Sequence, residues 1–549
     1  MKNMKTFDCG CTFAADQNGN PIFVPDIQQI PLDCNATWEM IGHGNTKGVF
    51  QLESQLGRSM AKQVGPNNMN ELSDLIAIIR PGCMEAIVEG KSLTQHYIDR
   101  KHRRDPVEYF HDALEPILSS TQGILVYQEQ ALLIARDIGG FDLQEADILR
   151  KAIGKKNVAL MGKLKKSFVE KAEDKGTVNR QQAEEIFSWI EKSQRYSFNK
   201  SHSVSYAYNA YLTAYTKAHF PHEFFTSYLK NAVGKPDTYG EIEELVNNAR
   251  TMNIQVSPPN IRTLNKYFTL IEKNPTFGLT EIKGVGGSVF DKIKTCFIEN
   301  DIDLSQCDWH TFLIGFGRCI KGDSFEAMIL SGAMDCFKIS RSRMLHELKM
   351  FRELSKREMP WIEGYKKEFS TVDLAGCIKA MIKNNDWKDP KRPIYRKERV
   401  EAVESIVASI GDAGYELIDL PGWLAQKEEQ FLGVALTCNK VDEYDTSGAN
   451  CTCKEYIDGF EGKSIRIAAK IDVVREWKIK NGQSKGQMMG FLTISDGTCS
   501  LDSVTMFSDE WLRYRKLVEQ GNVALFIGSR DAKRGSFLIK SVSKTKNLV

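Results

Sequence analysis

From about residue 36 to residue 232, apolar positions recur at three- and four-residue spacing, broken by Gly, Pro and basic turns such as Arg80–Gly82 and Ile98–Arg104. That period predicts one large α-rich unit. The first 35 residues lack it and hold the turn-prone run "DQNGNP", so a small extended segment is expected there. After "VSPPN" (Val256–Asn260) further helices are expected to about residue 425, interrupted by the charged, proline-bearing stretch Asn384–Lys397. Over roughly the last hundred residues the pattern alternates apolar and polar, and strands replace helices.

Turns at Asn481-Gly482 and Asp496-Gly497, an amphipathic stretch at Trp511–Leu517 and a further strand at Val523–Ile527 suit a small Greek-key barrel of the OB type. The expected division is 1–35, 36–255, 256–425 and 426–549. The expected fold class is multidomain, mainly α, with a C-terminal OB-type β-barrel.

Two stretches of the α-rich unit gather cations. "YSFNKSHSVSYAYNAYLTAYTKAHFP" (Tyr196–Pro221) predicts a helix with Ser201 or Ser203 as N-cap and Pro221 as terminator. Asn199, Lys200 and His202 then fall at its start, where the macrodipole disfavours positive charge. An anion, most naturally a phosphate, would reconcile the cations with the open N–H groups and the positive dipole end. Further along, Ala207, Ala210, Ala214 and Ala218 form one stripe and Tyr208, Tyr211 and Tyr215 another; the tyrosine row fits a core seam better than a base-stacking platform. "FDLQEADILRKAIGKK" opens with a capping box from Asp142 to Glu145 and stops near Gly154. Arg150 and Lys151 fall in its last turn, where the dipole alone favours a cation by about 0.3–1 kcal/mol. Continuation into Lys155 and Lys156 favours a phosphate-facing role instead.

Composition narrows the partner class. The chain has 549 residues, 42% hydrophobic and 26% charged, enough apolar material for several globular domains. Its formal net charge is only +2, so a polyanion surface must come from local segregation. Such segregation is present: Arg150, Lys151, Lys155, Lys156, Lys163, Lys165 and Lys166 lie between Asp147 and Glu170 with no acidic residue among them, and none occurs between Glu191 and Glu223. No run of about 18 apolar residues exists, which sets a membrane partner aside. Thirteen scattered cysteines without CxxC pairs, and no leader-like amino terminus, fit a reducing cytoplasm. Cys9, Cys11 and Cys34 offer three thiols, but C-x-C plus one distant Cys lacks a fourth ligand, and no metal site is expected.

In "FGLTEIKGVGGSVFDKIK" (Phe277–Lys294) a dinucleotide fingerprint fails, because Val289 stands at its third glycine position and no βαβ pattern flanks it. A helix-hairpin-helix element fits better, with Lys283, Gly284 and Gly286 presenting backbone N–H groups to a DNA phosphate. In the barrel, Arg466, Arg475, Trp477, Lys478 and Lys480 offer the basic and aromatic side chains that grip single strands.

Taken in order, "GVFQLES" (Gly48–Ser54), "IRPG" (Ile79–Gly82), "YIDRK" (Tyr97–Lys101), "GILVYQEQ" (Gly123–Gln130), "ADILRKAIGKK" (Ala146–Lys156) and "FNKSHSVSYA" (Phe198–Ala207) resemble the fingers of the bacterial family-C replicative DNA polymerase, the DNA polymerase III alpha subunit. "IKGVG" resembles its helix-hairpin-helix region, "LSGAMD" (Leu330–Asp335) follows as in that family, and the strand-rich end resembles its OB domain.

The resemblance implies that the fingers bind incoming dNTP and the template–primer. It carries nucleotide contact over to Asn199, Lys200 and His202, and to Arg150 and Lys151, where the family commonly has an Arg-Arg pair. DNA contact is expected at Lys155 and Lys156 from the cation run, at Lys283, Gly284 and Gly286 from the glycine turn, and at Arg466, Trp477 and Lys478 from the barrel. The family's palm aspartates, which hold Mg2+, precede the segment equivalent to "GVFQLES", and only some 47 residues precede it here. The sole D-x-D, Asp301-Ile302-Asp303, fits an N-cap at Asp303 better than a metal site. No catalytic residue is therefore expected in this chain, and Mg2+ would be ligated elsewhere. The expected partners are a separate PHP, palm and thumb chain, primed DNA, dNTP and a sliding clamp, although the family's usual clamp-binding peptide is not recognisable. A split polymerase of this kind is compatible with a bacteriophage and an infected bacterial cytoplasm. The alternative is a non-catalytic DNA-binding replication scaffold derived from such a polymerase.

Overall fold

The computed structural model of the protein describes residues 4–548 apart from 25, 27, 156–157, 194–196, 301–302, 318, 321, 356–357, 360, 363–373, 386–390, 392, 394, 409–416, 481–483 and 533–534. The Asn481-Gly482 turn, Lys156, Asp301-Ile302 and much of Asn384–Lys397 lie outside the described residues, as does the side chain of Lys155. The chain divides into two compact units, Met1–Pro221 and His222–Val549.

The first unit opens with an antiparallel sheet of β1 (Met4–Thr6), β2 (Thr12–Ala15) and β3 (Pro21–Ile22), with Met4 opposite Ala14 and Ala14 opposite Ile22. Its first turn closes through Phe7 N–H to the Cys11 carbonyl at 2.9 Å, with Gly10 at φ +86°. Asp16 holds the second turn, its Oδ1 accepting from Asn18 and Asn20 N–H at 2.9 and 2.8 Å.

Helices follow: α1 (Asn35–Gly42), α2 (Gln55–Val64), α3 (Met69–Ile78), α4 (Pro81–Glu85), then the short β4 (Ile87–Val88) and β5 (Lys91–Ser92), α5 (Leu93–Lys101), α6 (Glu115–Leu118), α7 (Gln128–Asp137), α8 (Leu143–Lys155), α9 (Val158–Lys175), α10 (Arg180–Ser193) and α11 (Lys200–His219). Ser54, Asn68 and Ser92 cap α2, α3 and α5 through side-chain oxygens. The predicted capping box of α8 is present, with Asp142 N–H to Glu145 Oε2 at 3.0 Å and Glu145 N–H to Asp142 Oδ1 at 2.8 Å. Phe168, Phe187, Ile134 and Ile190 are buried together at the centre of α7–α10. Gly139 lets α7 approach α9 there, since a Cβ at that position would overlap the Phe168 ring.

The N-cap of α11 corrects the sequence reading: it is Asn199, whose side chain accepts from His202 N–H at 2.9 Å, rather than Ser201 or Ser203. Ser203 is turned inward, donating to the Ser73 carbonyl of α3 at 2.6 Å, and Ser201 donates to Asn199 Oδ1 at 2.6 Å. The tyrosine stripe is largely core: Tyr211 and Tyr215 are buried and Tyr208 faces outward.

In the second unit, α12 (Pro221–Ala232) and α13 (Thr238–Thr251) lead to the hairpin of β6 (Thr269–Ile271) and β7 (Asn274–Thr276). A 3-10 turn over Leu279–Glu281, the glycine turn and α14 (Gly287–Asn300) come next, so one 3-10 turn stands where a first full helix was expected. Asp303 begins a turn by accepting Ser305 N–H at 2.9 Å. The N-cap of the following helix, α15 (Trp309–Phe316), is Asp308 and not Asp303. After α16 (Asp323–Leu330) and α17 (Arg341–Glu353), buried Arg341 joins Asp335 at 2.6 Å and buried Glu428 at 2.7 Å.

The chain ends in a closed five-stranded barrel: β8 (Ile465–Lys478), β9 (Met488–Ser495), β10 (Ser500–Met506), β11 (Val523–Arg530) and β12 (Phe537–Lys544), in the order β10-β12-β11-β8-β9. Long β8 pairs with β11 through one half and β9 through the other, bulged between Ile471 and Val473. Among the described residues the parallel pair in the barrel is β10 with β12, and the helix Ser508–Tyr514 stands between β10 and β11. This is the OB-type topology expected from the sequence. Ile467, Ala469, Leu492, Val504, Phe526 and Phe537 fill the interior.

Candidate nucleotide and nucleic-acid interface

Three motif segments, far apart in sequence, meet at the start of α11. A parallel bridge joins Tyr127 to Phe198, with Gln128 N–H donating to the Phe198 carbonyl and Phe198 N–H to the Val126 carbonyl, both at 2.9 Å. Arg80, half-buried, lays its guanidinium 3.7 Å from the centre of the Phe198 ring, and burial lowers its pKa. "IRPG", "GILVYQEQ" and "FNKSHS" thus form one surface.

Within it, Asn199, Lys200 and His202 are together as expected. The Lys200 side chain is exposed, with Nζ 5.6 Å from the centre of the Tyr127 ring. The exposed His202 ring packs on Tyr206 at 4.0 Å and Phe198 at 5.4 Å between centroids. An anion does sit at the helix end, and it is the Glu129 carboxylate. Glu129 accepts Lys200 N–H through Oε2 and the Asn199 amide through Oε1, both at 2.9 Å. The backbone donors of Lys200 and His202 are therefore occupied by Glu129 and Asn199. A phosphate at this place would be held chiefly by the Lys200 ammonium and the His202 ring.

Below the surface lies Asp74, almost fully buried on α3. It accepts Tyr127 OH at 2.6 Å and Tyr97 OH at 2.9 Å, and Ser73 Oγ lies 3.0 Å from Tyr127 OH. Burial outweighs those hydrogen bonds and raises the Asp74 carboxyl to a pKa of about 6. The same burial pushes both tyrosines well up. This network ties α3, α5 and the Val126–Tyr127 segment beneath Lys200. Asp74, Arg80 and Glu129 were missed as site residues. All but Asp74 stood inside quoted motifs, so attention to charge within those motifs would have found them.

Arg150 and Lys151 are engaged on their own helix, both with half-buried Asp147, at 2.8 and 2.7 Å. In the second unit, Lys283, Gly284 and Gly286 are exposed around buried Val285, with Gly284 at φ +93° and open space where side chains at Gly284 and Gly286 would stand. Lys283 N–H is already committed to the Phe431 carbonyl at 2.9 Å. On the barrel, Arg475 pairs with Phe491, Trp477 with Met489 and Lys478 with Met488 across β8 and β9. Trp477 is 51% exposed and Phe491 40%, and Lys480 Nζ lies 5.4 Å from the Trp477 ring centre. These side chains make a cationic, aromatic patch; Arg466 is near the other end of β8 and outside it.

A helical unit with a cation-bearing helix start, and an OB-type barrel with an exposed basic-aromatic strand pair, are features found in nucleic-acid-binding proteins. Residues 11–176 match the model of the bacterial DNA polymerase III alpha subunit finger domain. The chain is 28% identical to DNA polymerase III subunit alpha of Staphylococcus epidermidis over 509 residues, 92% of this chain and 42% of that one. It is 28% identical to the same subunit of Staphylococcus aureus over 514 residues, 93% of this chain and 42% of that one. The resemblance read from the motifs is borne out as a similarity to DNA polymerase III alpha subunits. It spans about two fifths of the length of the curated relatives it matches.

Proposed function

We propose that this chain is the fingers and DNA-binding half of a replicative family-C DNA polymerase, taking up incoming dNTP and template–primer for template-directed synthesis. The observation that carries the reading is the convergence of Arg80, Lys200 and His202 on one exposed surface, built from three segments that resemble the fingers. Asn199 positions the helix start, and Arg150 and Lys151 exchange Asp147 for phosphate when substrate arrives. The turn at Lys283–Gly286 and the Trp477–Lys478 patch hold DNA by its backbone and bases. The palm aspartates and their Mg2+ come from outside these residues, on a chain that also supplies PHP and thumb; a sliding clamp joins the assembly in a bacterial cytoplasm. Among the described residues no helix is long and apolar enough to cross a membrane.

The test uses the purified chain. It binds primed DNA with an affinity that falls steeply between about 50 and 200 mM salt, and extends it negligibly. Addition of a palm-bearing chain restores Mg2+-dependent extension. In that complex Lys200→Ala raises the KM for nucleotides or lowers the maximal rate, while affinity for primed DNA holds. Extension by the single chain refutes this division of labour. A fall in DNA affinity with a salt slope reduced by about one unit moves Lys200 to the template–primer backbone. Failure of every palm-bearing chain to restore synthesis favours the non-catalytic scaffold.

A further inference from the structure

The other end of α11 carries a second constellation. His219, the last residue of the helix, meets Cys9 and Cys11 from the turn between β1 and β2, and Cys34 from the residue preceding α1. One donor atom from each of the four lies within 4.8 Å of every other. His219 Nε2 is 3.3 Å from Cys34 Sγ and 3.9 Å from Cys9 Sγ. A tetrahedral zinc with bonds of about 2.3 Å to sulfur and 2.0–2.1 Å to nitrogen sets its donors about 3.5–3.8 Å apart, inside the observed range. Cys11, Cys34 and His219 are buried and Cys9 is partly so. Phe7, Phe13 and Tyr215 pack their rings against the imidazole at 5.2, 5.7 and 4.4 Å.

We propose that Cys9, Cys11, Cys34 and His219 bind one structural Zn2+, which clamps the amino-terminal sheet to the end of α11. Three thiolates and an imidazole at this spacing select a soft, tetrahedral ion over Mg2+ or Ca2+. Four protein donors close the coordination sphere, so the ion has a structural role and no open catalytic position. The surroundings fit that reading. Gly10, at φ +86°, lets the C-G-C turn aim two sulfurs at one point, and the Phe7–Cys11 backbone hydrogen bond fixes the turn. Tyr211 OH donates to the Pro31 carbonyl at 2.8 Å and accepts Cys34 N–H at 3.3 Å, orienting the third sulfur from the same helix that carries His219. On binding, each thiol gives up its proton to solvent, so uptake releases protons and weakens at low pH.

The fourth donor absent from the sequence reading thus comes from the far end of the unit. Cys34 and His219 are 185 residues apart, a separation at which no spacing motif operates.

The experiment uses the full chain purified under reducing conditions without chelator. Elemental analysis should find about one zinc per chain. Exchange for Co2+ should give the intense visible bands of tetrahedral cobalt together with thiolate-to-cobalt charge transfer. Cys34→Ser and His219→Ala should lose the metal and expose the segment before α1 to protease, while His219→Cys, which restores a fourth sulfur, should keep both metal and protection. Because that variant rescues, misfolding of the alanine variant does not decide the matter. A reduced wild-type chain that takes up neither zinc nor cobalt overturns the proposal. So does zinc that is retained in Cys34→Ser and His219→Ala alike, or iron in place of zinc.

Discussion

The Glu129 carboxylate accepts the backbone N–H of Lys200 at 2.9 Å, so the residue that brings positive charge to the start of α11 is itself anchored by a carboxylate. A helix start that needs an anion has one built in, and a phosphate arriving there would meet the Glu129 carboxylate.

Glu129→Gln keeps a carbonyl acceptor and deletes the charge. Triphosphate affinity should stay the same or rise, because less negative potential opposes the ligand, and equilibrium titration with dNTP checks this. Glu129→Ala removes both hydrogen bonds and should cost about 1–2 kcal/mol of stability, read from urea unfolding.

Asp74 makes the first unit pH-sensitive. Its folded pKa of about 6 lies well above the ordinary aspartate range, so the native state holds a proton that the unfolded chain releases. The corresponding stability is fully present below about pH 4 and is lost as pH rises through about 6, by roughly 3 kcal/mol in total. Asp74→Asn should flatten that part of the stability profile, as thermal unfolding followed from pH 4 to 7 would show.

Lys217 should behave as a buried tether. Its fully buried ammonium donates to the Asn45 carbonyl at 3.0 Å and the Lys47 carbonyl at 2.8 Å, just before "GVFQLES", and desolvation lowers its pKa strongly. Lys217→Met leaves those carbonyls without this donor and should cost about 1.5–3 kcal/mol. Amide exchange should accelerate first in residues 45–52.

Gly490 on β9 faces the Trp511 ring, which a Cβ would overlap. Gly490→Ala should destabilise the barrel by about 1–3 kcal/mol and shift Trp511 fluorescence, while leaving the fold of the first unit unchanged.

Much of this architecture was legible because it is local. The capping box at Asp142, the twofold alternation of β8 and β9, and the tyrosine seam at Tyr211 and Tyr215 all follow from contacts within a few residues or one strand pair. The N-cap of α11 was misplaced by two to four residues because serine and asparagine are near-equal caps; Ser203 lost to its hydrogen bond with Ser73, which lies on another helix. Glu129 and Asp74 were passed over for the same reason. Their roles depend on partners 71 and 53 residues away, in Lys200 and Tyr127. The glycine turn at Lys283 was legible as a turn, but its preceding element, a single 3-10 turn, is too short to leave a period.

The contact between Cys34 and His219 also sets a timetable. A ribosome adding about 5–20 residues per second needs roughly 10–40 s to make the intervening chain, and throughout that interval the amino-terminal sheet has no helix to rest on. Its thiols spend those seconds solvent-exposed, open to oxidation or to the wrong pairing, until α11 emerges and closes over them.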